Sequence, residues 1–139
     1  MAKYYRLRNG STIVGYTKES VTGEMVYSKD NIWWSGFKIN ATDMDRAIGL
    51  QDRNRREIFE HDIVEWKSDP RLEFYNQGAI LFSFKEENFV LKDFESGAVE
   101  PLFVGGESLF TMDDFRVISY TFINPQVEEF LKEEGDYFF

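Results

Sequence analysis

Short apolar segments alternate with turn signals along the whole chain, and this alternation limits the possible folds more than any other feature. Turn signals recur about every ten residues, among them Asn9-Gly10, Ser68 to Arg71 and Glu95 to Gly97. Such spacing favours a compact barrel or a strongly bent sheet. Strands are predicted at residues 3–7, 12–17, 24–27, 62–66, 77–84, 89–94, 99–104 and 115–122. Residues 31–39 fit a strand or an aromatic loop, and residues 40–47 fit one helical turn or a loop.

One helix is predicted near the C-terminal end, over about residues 125–133. Asn124 can cap its first turn, Pro125 suits the first helical position, and Gly135 would end it. The length of 139 residues fits one domain. The predicted fold is therefore mostly β with a minor α+β character: a single compact domain over residues 1–139, with a small bent-sheet or barrel core and a short C-terminal helix.

The composition indicates where the protein works. Phe, Trp and Tyr make up 17% of the chain, enough to build a core from large rings. Cysteine is absent, which fits a reducing cytoplasm and excludes thiolate chemistry and zinc sites that contain Cys. Residues 1–8 lack the apolar stretch of a signal peptide, and no apolar run approaches a membrane span. We expect a cytoplasmic location and no membrane partner.

The net charge of −9 bears mainly on solubility and on nucleic acids. After Phe110, seven acidic residues face two basic ones, so that stretch alone carries −5. Binding to DNA or RNA regardless of sequence depends on Lys and Arg. The charge therefore disfavours nucleic acid as a partner, although a local basic patch would still be compatible with it.

The segment from Ile48 to Trp66 contains the residues expected to shape a corner of the fold. Asp62 stands at the entrance to an apolar strand, where its carboxylate can accept backbone hydrogen bonds. Gly49 can adopt a positive φ angle or allow a close backbone approach. His61 is the only histidine, and its turn position predicts an exposed side chain rather than a catalytic one.

Two groups of side chains form a candidate contact surface. The first is the basic cluster Arg53, Arg55 and Arg56, which could contact phosphate or an acidic protein surface, or could simply be solvated. The second is Trp33-Trp34, whose rings could stack on bases or anchor a protein interface. Alternation along a strand would bury one indole and expose the other.

Motifs of catalysis are missing from the sequence. Gly105-Gly106 has no following Lys and Ser or Thr, so it is not a phosphate loop, and no Gly-x-Ser-x-Gly is present. We therefore predict no catalytic residue, no cofactor and no metal ligand, and do not expect an enzyme. A hydrolase based on paired carboxylates stays as a minor alternative, because an acidic chain supplies such pairs.

The run Gly49-Leu-x-Asp52, followed by Glu57-Ile-Phe-Glu-x-Asp62-Ile-Val, resembles the signature of the YopX-like family. The resemblance covers about residues 48–125 and continues through Gly78 to Phe82 and through Val117-Ile118 to Asn124-Pro125. Arg55 and His61 stand where the family has glycines, and Ser119-Tyr120 replaces a Gly-Asn pair, which indicates a divergent member. The resemblance implies a mostly β fold with a small barrel, and an origin in a phage, prophage or mobile element. It implies no activity, since the family is largely of unknown function.

Three functions remain as hypotheses. The first is an accessory protein, derived from a phage or prophage, that binds another protein or itself in the cytoplasm of a bacterial host. The second is a nucleic-acid-binding module on a small barrel, and the third is the carboxylate hydrolase.

Overall fold

Twelve β-strands and one α-helix form most of the regular structure in residues 3–139, which are the residues described in a computed structural model. The strands are β1 Tyr4–Asn9, β2 Thr12–Glu19, β3 Met25–Ser28, β4 Asp43–Gln51, β5 Glu57–Phe59, β6 Asp62–Trp66, β7 Asn76–Ser83, β8 Asn88–Asp93, β9 Val99–Pro101, β10 Phe103–Val104, β11 Glu107–Ser108 and β12 Arg116–Tyr120. A 3₁₀ turn, Thr121–Ile123, leads into helix α1, Pro125–Glu134. The prediction of a mostly β fold with a short C-terminal helix is confirmed.

The chain divides into two compact units, Met1–Gly49 (unit 1) and Leu50–Phe139 (unit 2). The boundary falls inside β4. The prediction of a single domain over residues 1–139 stays a prediction.

Unit 1 is built on an antiparallel sheet with the strand order β3-β2-β1-β4. In the centre of this sheet, Arg6 on β1 pairs with Tyr16 on β2 and with Asp45 on β4. Residues 31–39 form a loop, which joins the sheet edge through a single bridge between Tyr27 and Ser35. Of the two predicted alternatives for that segment, the aromatic loop is therefore the correct one.

The prediction of a helical turn or loop at residues 40–47 is wrong from Asp43 onward, where strand β4 begins. Along β4 the side chains of Asp45 and Ala47 are buried, while that of Met44 is exposed. The alternation of a strand is thus present, but one buried position holds an aspartate. A charged residue at a core position conceals the strand pattern, because charged side chains are almost never fully buried unless paired.

Unit 2 contains a second antiparallel sheet with the order β12-β6-β7-β8-β9. Its central strand β7 approaches β8 so closely at Gly78 that an added Cβ would lie 2.4 Å from the carbonyl oxygen of Lys92. The turn formed by residues 52–56 lies along the outer edge of β12, where the Arg53 backbone N–H donates to the Phe115 carbonyl. The sheets remain open in the described residues, so a closed barrel core, as the alternative to a bent sheet, is wrong.

Helix α1 covers one face of this second sheet. Leu131 packs in a core cluster with Ala79, Leu81, Val90 and Tyr137. Lys92 on β8 and Tyr137 both contact the Glu134 carboxylate, at 3.1 Å each. The helix begins with Pro125 and is followed by Gly135 in the left-handed conformation, as predicted. With ten residues, α1 is too short to cross a bilayer, and the described residues contain no other helix that could do so.

Candidate functional site

An open groove of about 560 Å³ lies in unit 1, beside the loop that carries the tryptophan pair. We call it the aromatic groove. Trp33, at 78% exposure, and Phe37, at 85%, line it but are largely in water. Its lining residues are Tyr27, Ser28, Lys29, Asp30, Trp33, Ser35, Phe37 and Ile39. Neighbouring Ile32 is 83% exposed, so one short loop presents three large apolar side chains to solvent.

The side chain of Asp30 holds this loop in shape. Its Oδ1 accepts hydrogen bonds from the backbone N–H groups of Trp33 and Ile32, both at 2.9 Å, and from the Ser28 hydroxyl at 3.0 Å. These bonds, with that from Trp33 the strongest, lower the pKa of the Asp30 carboxyl because they favour its charged form. Exposure of Trp33 is therefore a defined conformation and not the result of a loose chain.

The predicted contrast between one buried and one exposed indole is met in part by Trp34. Its ring is half-buried and meets Tyr4 edge-on, with centroids 6.1 Å apart. The Lys18 ammonium lies 4.2 Å from the ring centroid. Trp34 thus supports the sheet surface, and Trp33 is the tryptophan available for contact.

Sequence reasoning missed a buried ionic cluster in the same unit. Asp45 is fully buried and accepts hydrogen bonds from Arg6 Nε and from Arg8 Nε, both at 2.9 Å. Arg6 is itself buried and lies opposite Asp45 in the register of β1 and β4. The alternation of Arg6 and Arg8, which begins on the strand predicted at residues 3–7, was the sequence signal that could have indicated this cluster. Cross-strand pairing with a carboxylate makes the cluster a structural element.

In unit 2, the Asp52 carboxylate organises the turn that contains the basic cluster. Oδ1 accepts from the backbone N–H groups of Asn54 and Arg56 at 2.9 Å, and Oδ2 accepts from that of Val117 at 3.0 Å. One buried side chain thereby closes the turn and fastens it to β12. Asp52 is thus a structural residue, and Gly49 has the positive φ angle, 84°, that the sequence predicted.

The three arginines of this turn take different positions. Arg53 reaches across β6, where Nη2 lies 3.4 Å from Glu65 Oε1 and Nη1 donates to the Tyr75 hydroxyl at 3.0 Å. That hydrogen bond is the main reason that the pKa of Tyr75 is lowered. Arg56 is exposed and donates to the Tyr120 hydroxyl at 3.0 Å. Arg55 is exposed too, with a positive φ angle of 61°.

The fold adds two cations to this cluster that lie far from it in sequence. Arg116 Nη2 lies 2.7 Å from Glu65 Oε1, the carboxylate oxygen that Arg53 also approaches. Lys67 Nζ lies 5.1 Å from the Tyr75 ring centroid. No sequence signal announces Arg116 as a neighbour, since its position depends on the pairing of β12 with β6. The candidate contact residues therefore belong to two units: Trp33 and Trp34 to unit 1, and the arginines to unit 2.

The prediction that His61 is an exposed turn residue is wrong. Its side chain is 1% exposed, its Nε2 lies 2.8 Å from the Phe138 carbonyl oxygen, and its ring stacks on Phe139 at 5.0 Å. The turn position was right, because His61 has a φ angle of 74°. The polar sequence around it gave no sign of burial, since the aromatic residues that cover the ring come from the far end of the chain. Asp62 accepts from the Phe59 backbone N–H at 2.9 Å, in the structural role expected for it.

Asn124 precedes helix α1 as predicted, but its side chain does not cap the first turn. Instead the amide Nδ2 donates back to the Ser119 hydroxyl at 2.9 Å and to the Tyr120 carbonyl at 2.7 Å. Asn124 therefore fixes the chain between β12 and α1, while Pro125 begins the helix.

A second groove, of about 450 Å³, runs along the helix and is acidic. It is lined by Phe122, Pro125, Glu128, Glu129, Lys132 and Glu133. In residues 3–139, no group of three or more His, Asp and Glu side chains is arranged to hold a metal ion.

Comparisons with models of protein families and with curated proteins gave no match to this chain.

Proposed function

We propose that this chain is a protein-binding module whose aromatic groove takes up apolar side chains of a partner polypeptide. The observation that carries the proposal is the exposure of Ile32, Trp33 and Phe37 on one ordered loop. Contiguous exposed apolar side chains with polar neighbours mark interaction sites, and Trp is enriched among residues that dominate binding energy.

The mode of binding follows from the sheet edge. β3 is the outer strand of the unit 1 sheet, but Tyr27 already exchanges both backbone hydrogen bonds with Ser35, at 2.7 and 2.9 Å. Strand addition at this position is blocked. The partner therefore binds by inserting side chains between Trp33 and Phe37, and not by extending the sheet.

A selection from a display library of random peptides tests this proposal without knowledge of the natural partner. Peptides enriched on the immobilised protein should bind in calorimetry, and Trp33→Ala should weaken them at least about tenfold, as expected for a central aromatic contact. Val21→Ala removes an equally exposed apolar side chain outside the groove and should leave the affinity unchanged. Failure to enrich any peptide, or equal binding by Trp33→Ala, would contradict the groove as the site.

The resemblance to the YopX-like family supports a wider proposal, that the protein is an accessory protein derived from a phage or prophage and works in the cytoplasm of a bacterial host. Two backbone φ angles support this proposal. Arg55 and His61, which replace family glycines, both have the positive φ angles that glycine adopts most easily.

Nucleic acid is the second candidate partner, favoured by one observation. Arg53 and Lys67 flank the ring of Tyr75, each about 5.1 Å from its centroid, as in surfaces that combine cations with aromatic stacking. Against it stands the charge of unit 2, in which nine basic residues face twenty acidic ones for a net charge of −11. We give preference to the protein partner and propose no enzymatic activity.

A further inference from the structure

Unit 2 carries two surfaces of opposite charge. The first, the basic face, is formed by Arg53, Arg55, Arg56, Lys67 and Arg116 around Tyr75 and Tyr120. Glu65, which Arg53 and Arg116 share, offsets part of this charge, and so does the buried Asp52 carboxylate of the same turn. The five cations still outnumber these two carboxylates, in a unit whose overall charge is strongly negative.

The second surface is the acidic groove along α1. Three glutamates line it with one lysine, and Lys132 Nζ lies 2.9 Å from Glu128 Oε1. Glu129 and Glu133 are exposed, and within residues 3–139 neither carboxylate has a hydrogen-bond or ion-pair partner. These two charges therefore face solvent.

The two surfaces are joined by a continuous path of contacts. Arg56 donates to the Tyr120 hydroxyl, and the Tyr120 ring stacks on Phe122 with centroids 5.1 Å apart and planes 6° apart. Phe122 in turn lines the acidic groove. Exposed Ile118 on β12 and Ile123 in the 3₁₀ turn add apolar area along this path.

A positive surface beside a negative one is complementary to itself after a two-fold rotation, which places each charge opposite its counterpart. From this we infer that the occupant of both surfaces is a second copy of this chain: the basic face of one copy docks on the acidic groove of the other, twice per dimer. The inference rests on unit 2 alone and does not depend on the aromatic groove. Dimerisation would present two aromatic grooves and so raise avidity for a repeated partner.

A nucleic acid fits this pair of surfaces less well. A strand bound to Arg53, Arg56 and Arg116 would lie beside the glutamates of the adjacent groove, where phosphates are repelled. The same glutamates are attracted to arginines of a second copy. The charge arrangement thus favours self-association.

Charge reversal provides the test, measured by sedimentation velocity on the full chain. Arg55→Glu/Arg56→Glu makes the basic face acidic, and Glu129→Lys/Glu133→Lys makes the groove basic. All four side chains are exposed, so folding should be retained, which circular dichroism checks. Each double variant alone should dissociate, with a dimer Kd raised about tenfold or more, and the wild-type dimer should weaken from about 0.05 M to about 1 M salt.

The deciding measurement is the mixture of the two variants. In a two-fold dimer both contacts become complementary again when one partner carries the acidic face and the other the basic groove, so the mixture should form a heterodimer. Lys38→Glu/Lys85→Glu, which reverses two exposed cations elsewhere, should associate like the wild type. A monomeric wild type at low salt, a mixture that stays monomeric, or tight binding of a single-stranded oligonucleotide that Arg55→Glu/Arg56→Glu abolishes would each overturn the inference.

Discussion

The two units of this chain differ most in how much apolar side chain they bury. Among the described residues, unit 1 buries three hydrophobic side chains, Leu7, Ala47 and Ile48, whereas unit 2 buries seventeen. Unit 1 also keeps the charged pair Arg6 and Asp45 inside, and two of its exposed side chains, Trp33 and Phe37, line the aromatic groove. Because the apolar core of unit 1 is so small, polar contacts such as this ion pair carry a larger share of its order.

The two units also differ in net charge. Seven basic residues face five acidic ones in unit 1, for a net charge of +2, against −11 in unit 2. Net charge affects association and solubility. Unit 2 thus carries the negative charge and the larger apolar core, and unit 1 is nearly neutral.

The largest expected effect comes from Asp45→Ala, which removes the carboxylate at the centre of the unit 1 cluster. The buried Arg6 guanidinium would lose its carboxylate, and breaking a buried ion pair on one side costs about 3–5 kcal/mol of unfolding free energy. Because the core of unit 1 is small, hydrogen exchange should accelerate in β1, β2 and β4 more than in β7 and β8. Asp43→Ala on the same strand removes a partly exposed carboxylate and should cost less than about 1 kcal/mol. Uniform acceleration in both units would show that they do not differ in this way.

Asp52→Ala is expected to have the next largest effect, this time in unit 2. Three backbone N–H groups would lose a charged acceptor, those of Asn54, Arg56 and Val117, for about 3 kcal/mol. Urea unfolding followed by fluorescence measures the loss. Asp113→Ala removes an exposed carboxylate from the same unit and should change the free energy by less than about 0.5 kcal/mol. If the two variants were equally stable, the carboxylate of Asp52 would not hold the turn on β12.

A smaller change of opposite sign is expected from Arg55→Gly. The φ angle of 61° strains a residue with a Cβ by roughly 1–2 kcal/mol. Glycine removes this strain, but its larger conformational entropy in the unfolded state cancels part of the gain. Thermal unfolding should therefore show a gain of about 0.5–1 kcal/mol. Asn54→Gly, at a neighbouring position without a positive φ angle, should lower stability instead. Destabilisation by Arg55→Gly would mean that the arginine side chain makes a contact worth more than the backbone strain.

The sequence predicted well where a local pattern decides the structure. The apolar run at residues 77–84 became β7, and Asn124-Pro125 marked the start of α1. Prediction failed where the burial of a side chain depends on residues distant in sequence. Asp45 disguised strand β4, because its burial depends on Arg6 and Arg8, and His61 was placed in solvent although Phe138 and Phe139 cover it. The arginine turn was found, but Arg116 joins it only through the pairing of β12 with β6.

The smallest expected effect concerns pH and the loop of the aromatic groove. Hydrogen bonds from Trp33, Ile32 and Ser28 lower the pKa of Asp30 below its ordinary value of 3.8. A carboxyl with a lowered pKa in the folded state contributes stability above its unfolded pKa and loses it as the pH falls through the folded value. Acidification below about pH 4 should therefore loosen the loop and shift the indole N–H resonance of Trp33 before the amides of β7 change.

Asp30→Asn is the matched variant, since its amide cannot titrate and keeps one acceptor oxygen for the same backbone groups. Its Trp33 resonance should lose the acid-dependent step. In unit 2, Asp136 also has a lowered pKa, mainly through the Ser83 hydroxyl at 2.6 Å, so its loop should respond to acid in Asp30→Asn as in the wild type. An unchanged Trp33 step in Asp30→Asn would assign the transition to another group. If the step disappears, one exposed carboxylate controls the order of the contact loop, as expected for a unit with so small an apolar core.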